Sequence, residues 1–241
     1  MSNKKVVNPN QKSNGFLWAM VALTVVIAAV VAFIVVNGRQ AQENKYADRE
    51  KETVSFNIST QDNAVVLAAS STTSDTPVVE IFEDYSCSHC ADLEEATSAE
   101  MKQALEDGKI IAKIYGLNFL DRGNEEGNST KAGGAAMAVA ESGDASAYWN
   151  TRKLFMGEQN EIYGQWDNEK FASAAIQMGA SEDIRDSIAS GDKMREFPSV
   201  ASANSDYLTE IGERVSSPRV FIDGTEVTSN LAGWVSQATG A

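Results

Sequence analysis

The chain has 241 residues, 43% of them apolar, and its 20 basic against 34 acidic side chains leave a formal charge of −14. That length is ample for one or two domains with a packed core. The charge repels phosphate backbones and excludes nucleic acid as a partner.

Residues 1–15 carry Lys4, Lys5 and Lys12 and no acid. From Phe16 to Val36 the chain reads FLWAMVALTVVIAAVVAFIVV, a run without a single charge. It predicts a helix long enough to cross a hydrocarbon core of about 30 Å. Secretory apolar regions are shorter, about 7 to 15 residues, so residues 16–36 read as a retained transmembrane anchor. The lysines before it put residues 1–15 in the cytoplasm, and everything after Gly38 outside. The exported part then has 17 basic against 34 acidic residues. Residues 37–53 follow as a charged, solvated linker in which Tyr46 is the one sizeable apolar group.

Beyond the linker, Val54, Phe56 and Ile58 alternate with polar residues and predict a strand. Ala64–Ala68 and Val78–Phe82 are short apolar runs consistent with two more, the second starting after Pro77. Leu93, Ala96, Met101, Ala104 and Leu105 then fall on one helical face that Asp107-Gly108 ends. Residues 109–115 return to strand. From 127 to 208 the pattern is helical, with stretches at 130–142, 145–156, 168–178, 181–188 and 199–211. Residues 219–222 and 225–227 flank Asp223-Gly224, a two-residue hairpin signal. Leu231, Trp234, Val235 and Ala238 predict a closing helix. The parts are thus residues 54–126 and 209–241, a β-rich core in two halves, around a helical insertion at 127–208.

Both cysteines and the lone histidine of the chain lie in EDYSCSHC, residues 83–90. The spacing is Cys-x-x-Cys, with Cys87 between a strand and the first turn of a helix. There its sulfur meets unpaired backbone N–H groups and the positive end of the helix dipole, which favour thiolate. His89 adds a second stabiliser of negative charge if it is protonated or donates a hydrogen bond. Cys90 points inward as the resolving thiol. A structural disulfide over so short a loop would remove little chain entropy. A closed metal site lacks further Cys or His ligands, so none is expected. A Cys–His hydrolase needs an imidazole delivered from elsewhere in the fold. Thiol–disulfide exchange is the chemistry left. Pro218, in Ser217-Pro218 before the hairpin, fits either a strand-start proline or a cis-proline turn.

With these motifs, with NFLDRGN at 118–124 and with the helical insertion, the chain resembles the DsbA-like thiol-disulfide oxidoreductases, in particular the membrane-anchored Gram-positive type. The resemblance covers roughly Val54 to Ala241. It implies an α/β thioredoxin fold with an inserted helical subdomain, preceded here by one transmembrane helix. It also implies catalytic roles for Cys87 as exposed nucleophile, Cys90 as buried partner and His89 as the residue that makes the disulfide oxidising. Pro218 matches the family's cis-proline, and Ser217 the residue whose backbone binds an extended substrate. The pattern departs twice. Ser88 stands where strong oxidants carry proline, and Ile81 where many relatives carry a glutamate that moves protons, leaving Glu80 or Glu83 to substitute.

The function so implied is an anchored, extracytoplasmic oxidase that introduces disulfides into exported, unfolded proteins with reduced cysteines. It needs no cofactor, and a quinone-linked membrane protein reoxidises it. The alternatives are a reductase or isomerase on the same fold, or a surface-anchored binding module. A linker too short for a dimerisation domain predicts a monomer.

Overall fold

The computed structural model describes residues 15–43 and 45–240, with side chains over 17–33 in the first stretch and throughout the second. Lys4, Lys5 and Lys12, expected on the cytoplasmic side, lie outside the described residues. The chain divides into two compact units, Met1–Lys45 and Tyr46–Ala241. In the first, α1 (Gly15–Glu43) is a helix of 29 residues. Its large apolar side chains from Leu17 to Phe33 are exposed, Trp18 to 72%. Among the described residues no helix is long and apolar enough to cross a membrane. The span expected over 16–36 extends past the described side chains at both ends.

In the second unit, β1 (Asn57–Gln61) and β2 (Ala64–Ala68) form a hairpin. Its turn residues Asp62 and Asn63 take φ values of 50° and 63°, the mirror-image turn that matches strand twist. β3 (Val78–Asp84), α2 (Ser88–Glu106) and β4 (Ile111–Leu117) make a β-α-β unit with parallel strands. The helices α3 (Asn128–Glu141), α4 (Ala145–Gly157), α5 (Gln159–Ile162), α6 (Asn168–Gln177), α7 (Arg185–Ala189) and α8 (Asp192–Gly212) follow. The chain closes with β5 (Arg219–Ile222), β6 (Thr225–Glu226) and α9 (Trp234–Thr239). Strand order in the sheet is β1-β2-β4-β3-β5-β6. Asp223 and Gly224 form the β5–β6 turn with φ of 49° and 77°, the hairpin that their dipeptide predicts.

β3 runs at the centre, paired with β4 and β5 and covered on both faces, so every residue after Val78 is buried, acids included. Its residues alternate between two apolar clusters. Val79 and Ile81 join the core with Cys90, Met101 and Trp234, while Phe82 joins Tyr115, Leu117, Leu208 and Phe221 on the other face.

Three segments differ from the sequence pattern. Val54 and Phe56 precede β1 instead of belonging to it. The N–H groups of Glu52 and Val54 donate to Asn150 Oδ1 (2.9 Å) and Ser146 Oγ (3.1 Å), so this stretch lies along α4. Phe56 then packs edge-on to Trp149 at 5.6 Å. The linker, expected to be solvated to residue 53, is strapped down from Tyr46 onward. Tyr46 is buried beside Trp166, its N–H donates to Gln177 Oε1 at 2.9 Å, and Arg49 pairs with Glu158 at 2.7 Å. Its one apolar group found a place in the core.

The third is α8, which begins at Asp192, before Pro198, not after it at Ser199. An interior proline costs a helix about 3 kcal/mol. Burial of Met194 and Phe197 offsets it. The Phe197 ring lies where a Cβ on Gly133 would come within 2.2 Å, and Met194 backbone lies 2.7 Å from a Cβ placed on Gly134. Two glycines in α3 thus let α8 settle against it.

Candidate functional site

β3 ends at Asp84, and two residues later the chain enters α2 with Cys87 as its N-cap. A buried carboxyl pins this corner. Asp84 accepts from the Ser86 N–H (2.9 Å), the Leu120 N–H (3.2 Å) and the Ser129 hydroxyl (2.5 Å). Burial pushes its pKa up to about 6 against those hydrogen bonds. The NFLDRGN stretch serves the same corner. Asp121 accepts from the Ser129 and Thr130 N–H groups at 3.0 and 2.7 Å and so caps α3.

The two cysteines are unbridged, with Cys87 8% and Cys90 3% exposed. Cys87 is therefore less open than an exposed nucleophile implies. Its pKa is pushed down to about 5, first by the hydrogen bond from the Cys90 thiol. Burial opposes this, while the Ser217 hydroxyl and the backbone N–H groups of Cys90 and His89 add to it. These amides belong to the first turn of α2, whose N–H groups have no partner within the helix. Cys90 moves the other way. Burial, the hydrogen bond it gives to Cys87 and the nearby negative charge all hold it as a thiol.

Ser217 and Pro218 join this pair. The Ser217–Pro218 bond is cis, and Cys87 Sγ lies 3.4 Å from the Ser217 carbonyl oxygen, to which the protonated thiol donates. The Ser217 hydroxyl is buried beside the two sulfurs. Pro218 lines a cavity together with Cys90. His89 is brought less close. Its imidazole is 80% exposed and faces Asp92, Nδ1 to Oδ2 3.5 Å, so its backbone rather than its ring reaches the sulfur.

Behind Cys90, the same cavity is lined by Glu83, Glu94, Arg152 and Trp234. Arg152, from α4, donates to both oxygens of Glu83, Nε to Oε1 at 2.9 Å and Nη2 to Oε2 at 2.6 Å. Its Nη1 donates to Glu94 Oε2. Burial raises the Glu83 pKa, and Arg152 opposes the rise. Of the two acids left open by the sequence, Glu83 therefore shares the cavity with Cys90. Glu80 points to the opposite face, where it accepts from Tyr115 (3.3 Å) and Tyr207 (2.8 Å) hydroxyls.

Sequence reasoning missed Glu94 and Arg152. Glu94 left a signal, being four residues after Cys90 and so on its helix face, whereas Arg152 stands in the polar run Asn150-Thr151-Arg152-Lys153 and left none. Also unforeseen was Gln159 of α5, whose Nε2 donates to the Cys87 carbonyl at 3.1 Å.

A thioredoxin family model matches residues 72–236. Comparison with curated proteins finds no match. Among solved structures, MdbA, a thiol-disulfide oxidoreductase from Corynebacterium diphtheriae, is similar at 49% identity and a TM-score of 0.80, over 81% of this chain and 100% of that one. The MdbA of Corynebacterium matruchotii is similar at 40% identity and a TM-score of 0.78, over 82% and 98% of the two chains. DsbA of Mycobacterium tuberculosis, at 21% identity and a TM-score of 0.59 over 74% and 93%, shares the fold.

Proposed function

The chain belongs to the DsbA-like thiol-disulfide oxidoreductases of the thioredoxin fold, and from that premise we propose that it is an oxidase giving a Cys87–Cys90 disulfide to exported proteins. A substrate thiolate attacks Cys87 Sγ, the Cys87–Cys90 bond breaks, and Cys90 leaves as a thiolate that takes up a proton. A second substrate thiolate then attacks the substrate sulfur of the mixed disulfide. Cys87 leaves with the electron pair, so the substrate loses two electrons and the enzyme pair gains them.

One observation carries this reading: Cys87 is stabilised as a thiolate while Cys90 is held as a thiol. That asymmetry favours the reduced pair over the disulfide and makes Cys87 the better leaving group. The test is the reduction potential in glutathione buffers. An oxidase should lie well above thioredoxin's roughly −270 mV, and a value near it turns the reading to a reductase.

The anchored, extracytoplasmic placement rests on the uncharged run 16–36 and the lysines ahead of it. The apolar side chains exposed from Leu17 to Phe33 are in keeping with it. In that setting a quinone-linked membrane protein takes the electrons from the reduced pair. Protease added to protoplasts should digest residues 46–241, and protection of that unit would reverse the orientation.

A further inference from the structure

In Tyr46–Ala241, among the described residues, Tyr163 is the one large apolar or aromatic side chain that is mostly exposed, at 62%. Single exposed aromatics are common on protein surfaces. The position of this one is what matters. It caps α5 between two anchored neighbours: Ile162 is 1% exposed, and Trp166 packs on Phe171 at 5.2 Å and Phe155 at 6.2 Å. Its backbone is therefore held while its ring faces outward.

Tyr163 forms one wall of an open groove, and Leu120, Asn124 and Asn128 form others. The groove ends one residue from Cys87. Ser86, the neighbour of Cys87, lines it and accepts from Asn128 Nδ2 at 3.2 Å. Gln159, one turn before Tyr163, donates to the Cys87 carbonyl. One helical turn spans about 6 Å, or roughly two residues of extended chain. Ser217, where strand-like binding is expected, is not among its walls.

We propose that this groove, with Tyr163 as its aromatic anchor, binds the substrate polypeptide two to four residues from its reacting cysteine. This deepens the oxidase reading and rests on it. The occupant is an unfolded chain presenting an apolar or aromatic side chain near that cysteine. Continuity with Cys87 argues for it, since any protein disulfide partner must pass its flanking residues beside the nucleophile. The Tyr163 ring and Leu120 are its apolar contacts, and its other walls are polar, with the amides of Asn124 and Asn128 and the charged Asp121, Arg122 and Glu126. Glutathione flanks its cysteine with a γ-glutamyl and a glycyl group only, so it brings no apolar side chain to Tyr163.

The experiment compares rates of disulfide transfer to reduced, unfolded ribonuclease and to glutathione, for the full chain and for Tyr163→Ser. The ratio of the protein rate to the glutathione rate should fall about three- to tenfold, as expected for loss of an aromatic contact, and Tyr163→Phe should restore it. An unchanged ratio overturns the groove alone. So does equal slowing with both thiols, which would place the effect on Cys87 through Gln159. Wild-type protein that exchanges with glutathione yet leaves ribonuclease reduced overturns the oxidase reading, and this proposal with it.

Discussion

Glu94 follows Cys90 by one turn of α2, and its Oε1 is a buried oxygen without a hydrogen-bond partner among the described residues, in the cavity that Cys90 lines. Arg152 occupies both oxygens of Glu83 but only the other oxygen of Glu94. When the disulfide opens, Cys90 leaves into surroundings that strongly favour its protonated form. The free oxygen of Glu94 is placed to exchange that proton, directly or through one water. Glu94→Gln keeps the shape and removes the exchange, and it should slow disulfide opening by about tenfold or more. Trp234 lines the same cavity, so stopped-flow tryptophan fluorescence follows the step. An unchanged rate would take Glu94 out of the proton path.

Arg152 holds two buried carboxylates with a single positive charge. Removing it leaves both uncompensated in a site that water barely enters. Arg152→Met should lose about 3–5 kcal/mol of stability, read from chemical denaturation. Adding Glu83→Gln and Glu94→Gln to it should recover most of that loss, because no unpaired charge then remains. A stable single variant would mean that the triad is not what ties α4 to the sheet.

The placement of Cys87 and Cys90 at a strand-to-helix corner was legible because its determinants are local. A strand that ends at Asp84, a helix that starts at Ser88 and two cysteines on one turn all lie within adjacent residues. Which acids lie behind Cys90 was not. Strand alternation separates Glu80 from Glu83, but only the packing of α2 and α4 on one side of β3 decides which faces the thiol. Arg152 arrives from a helix far along the chain, and nothing near residue 83 announces it. The start of α8 was placed too late, at residue 199, for a related reason, since the contact of Phe197 with Gly133 is tertiary and outweighs the local preference against Pro198 in a helix. The outward direction of the His89 ring is a rotamer choice that the spacing of the motif leaves open.

That direction separates two substitutions that the motif alone would treat alike. Ser217→Ala removes the hydroxyl beside both sulfurs, and the Cys87 pKa should rise from its value of about 5. His89→Ala keeps the backbone N–H that faces the sulfur and removes a ring turned to Asp92. Its effect on the titration should be the smaller of the two. Thiolate ultraviolet absorbance against pH measures both, and a larger shift for His89→Ala would restore the ring to the thiolate's surroundings.

Cys87 also ties redox state to stability and pH. In the reduced, folded protein its pKa is about 5, against about 9 when unperturbed. A depressed acid stabilises the fold through its ionised form, so this contribution is fully present above about pH 9, shrinks as pH falls and is gone below about pH 5. The oxidised protein has no thiol to titrate, and its disulfide closes too short a loop to add much chain entropy. Once the pH is about two units above 5, the thiolate contribution exceeds that of so short a loop, and the reduced protein should be the more stable of the two. Within the window their difference should grow by about 1.4 kcal/mol per pH unit. Urea denaturation of both forms at pH 5, 6, 7 and 8 (roughly the titration window) gives the slope. A difference that stays flat across that range would mean that the thiolate is not held by the folded site, and the oxidising power inferred from it would go with it.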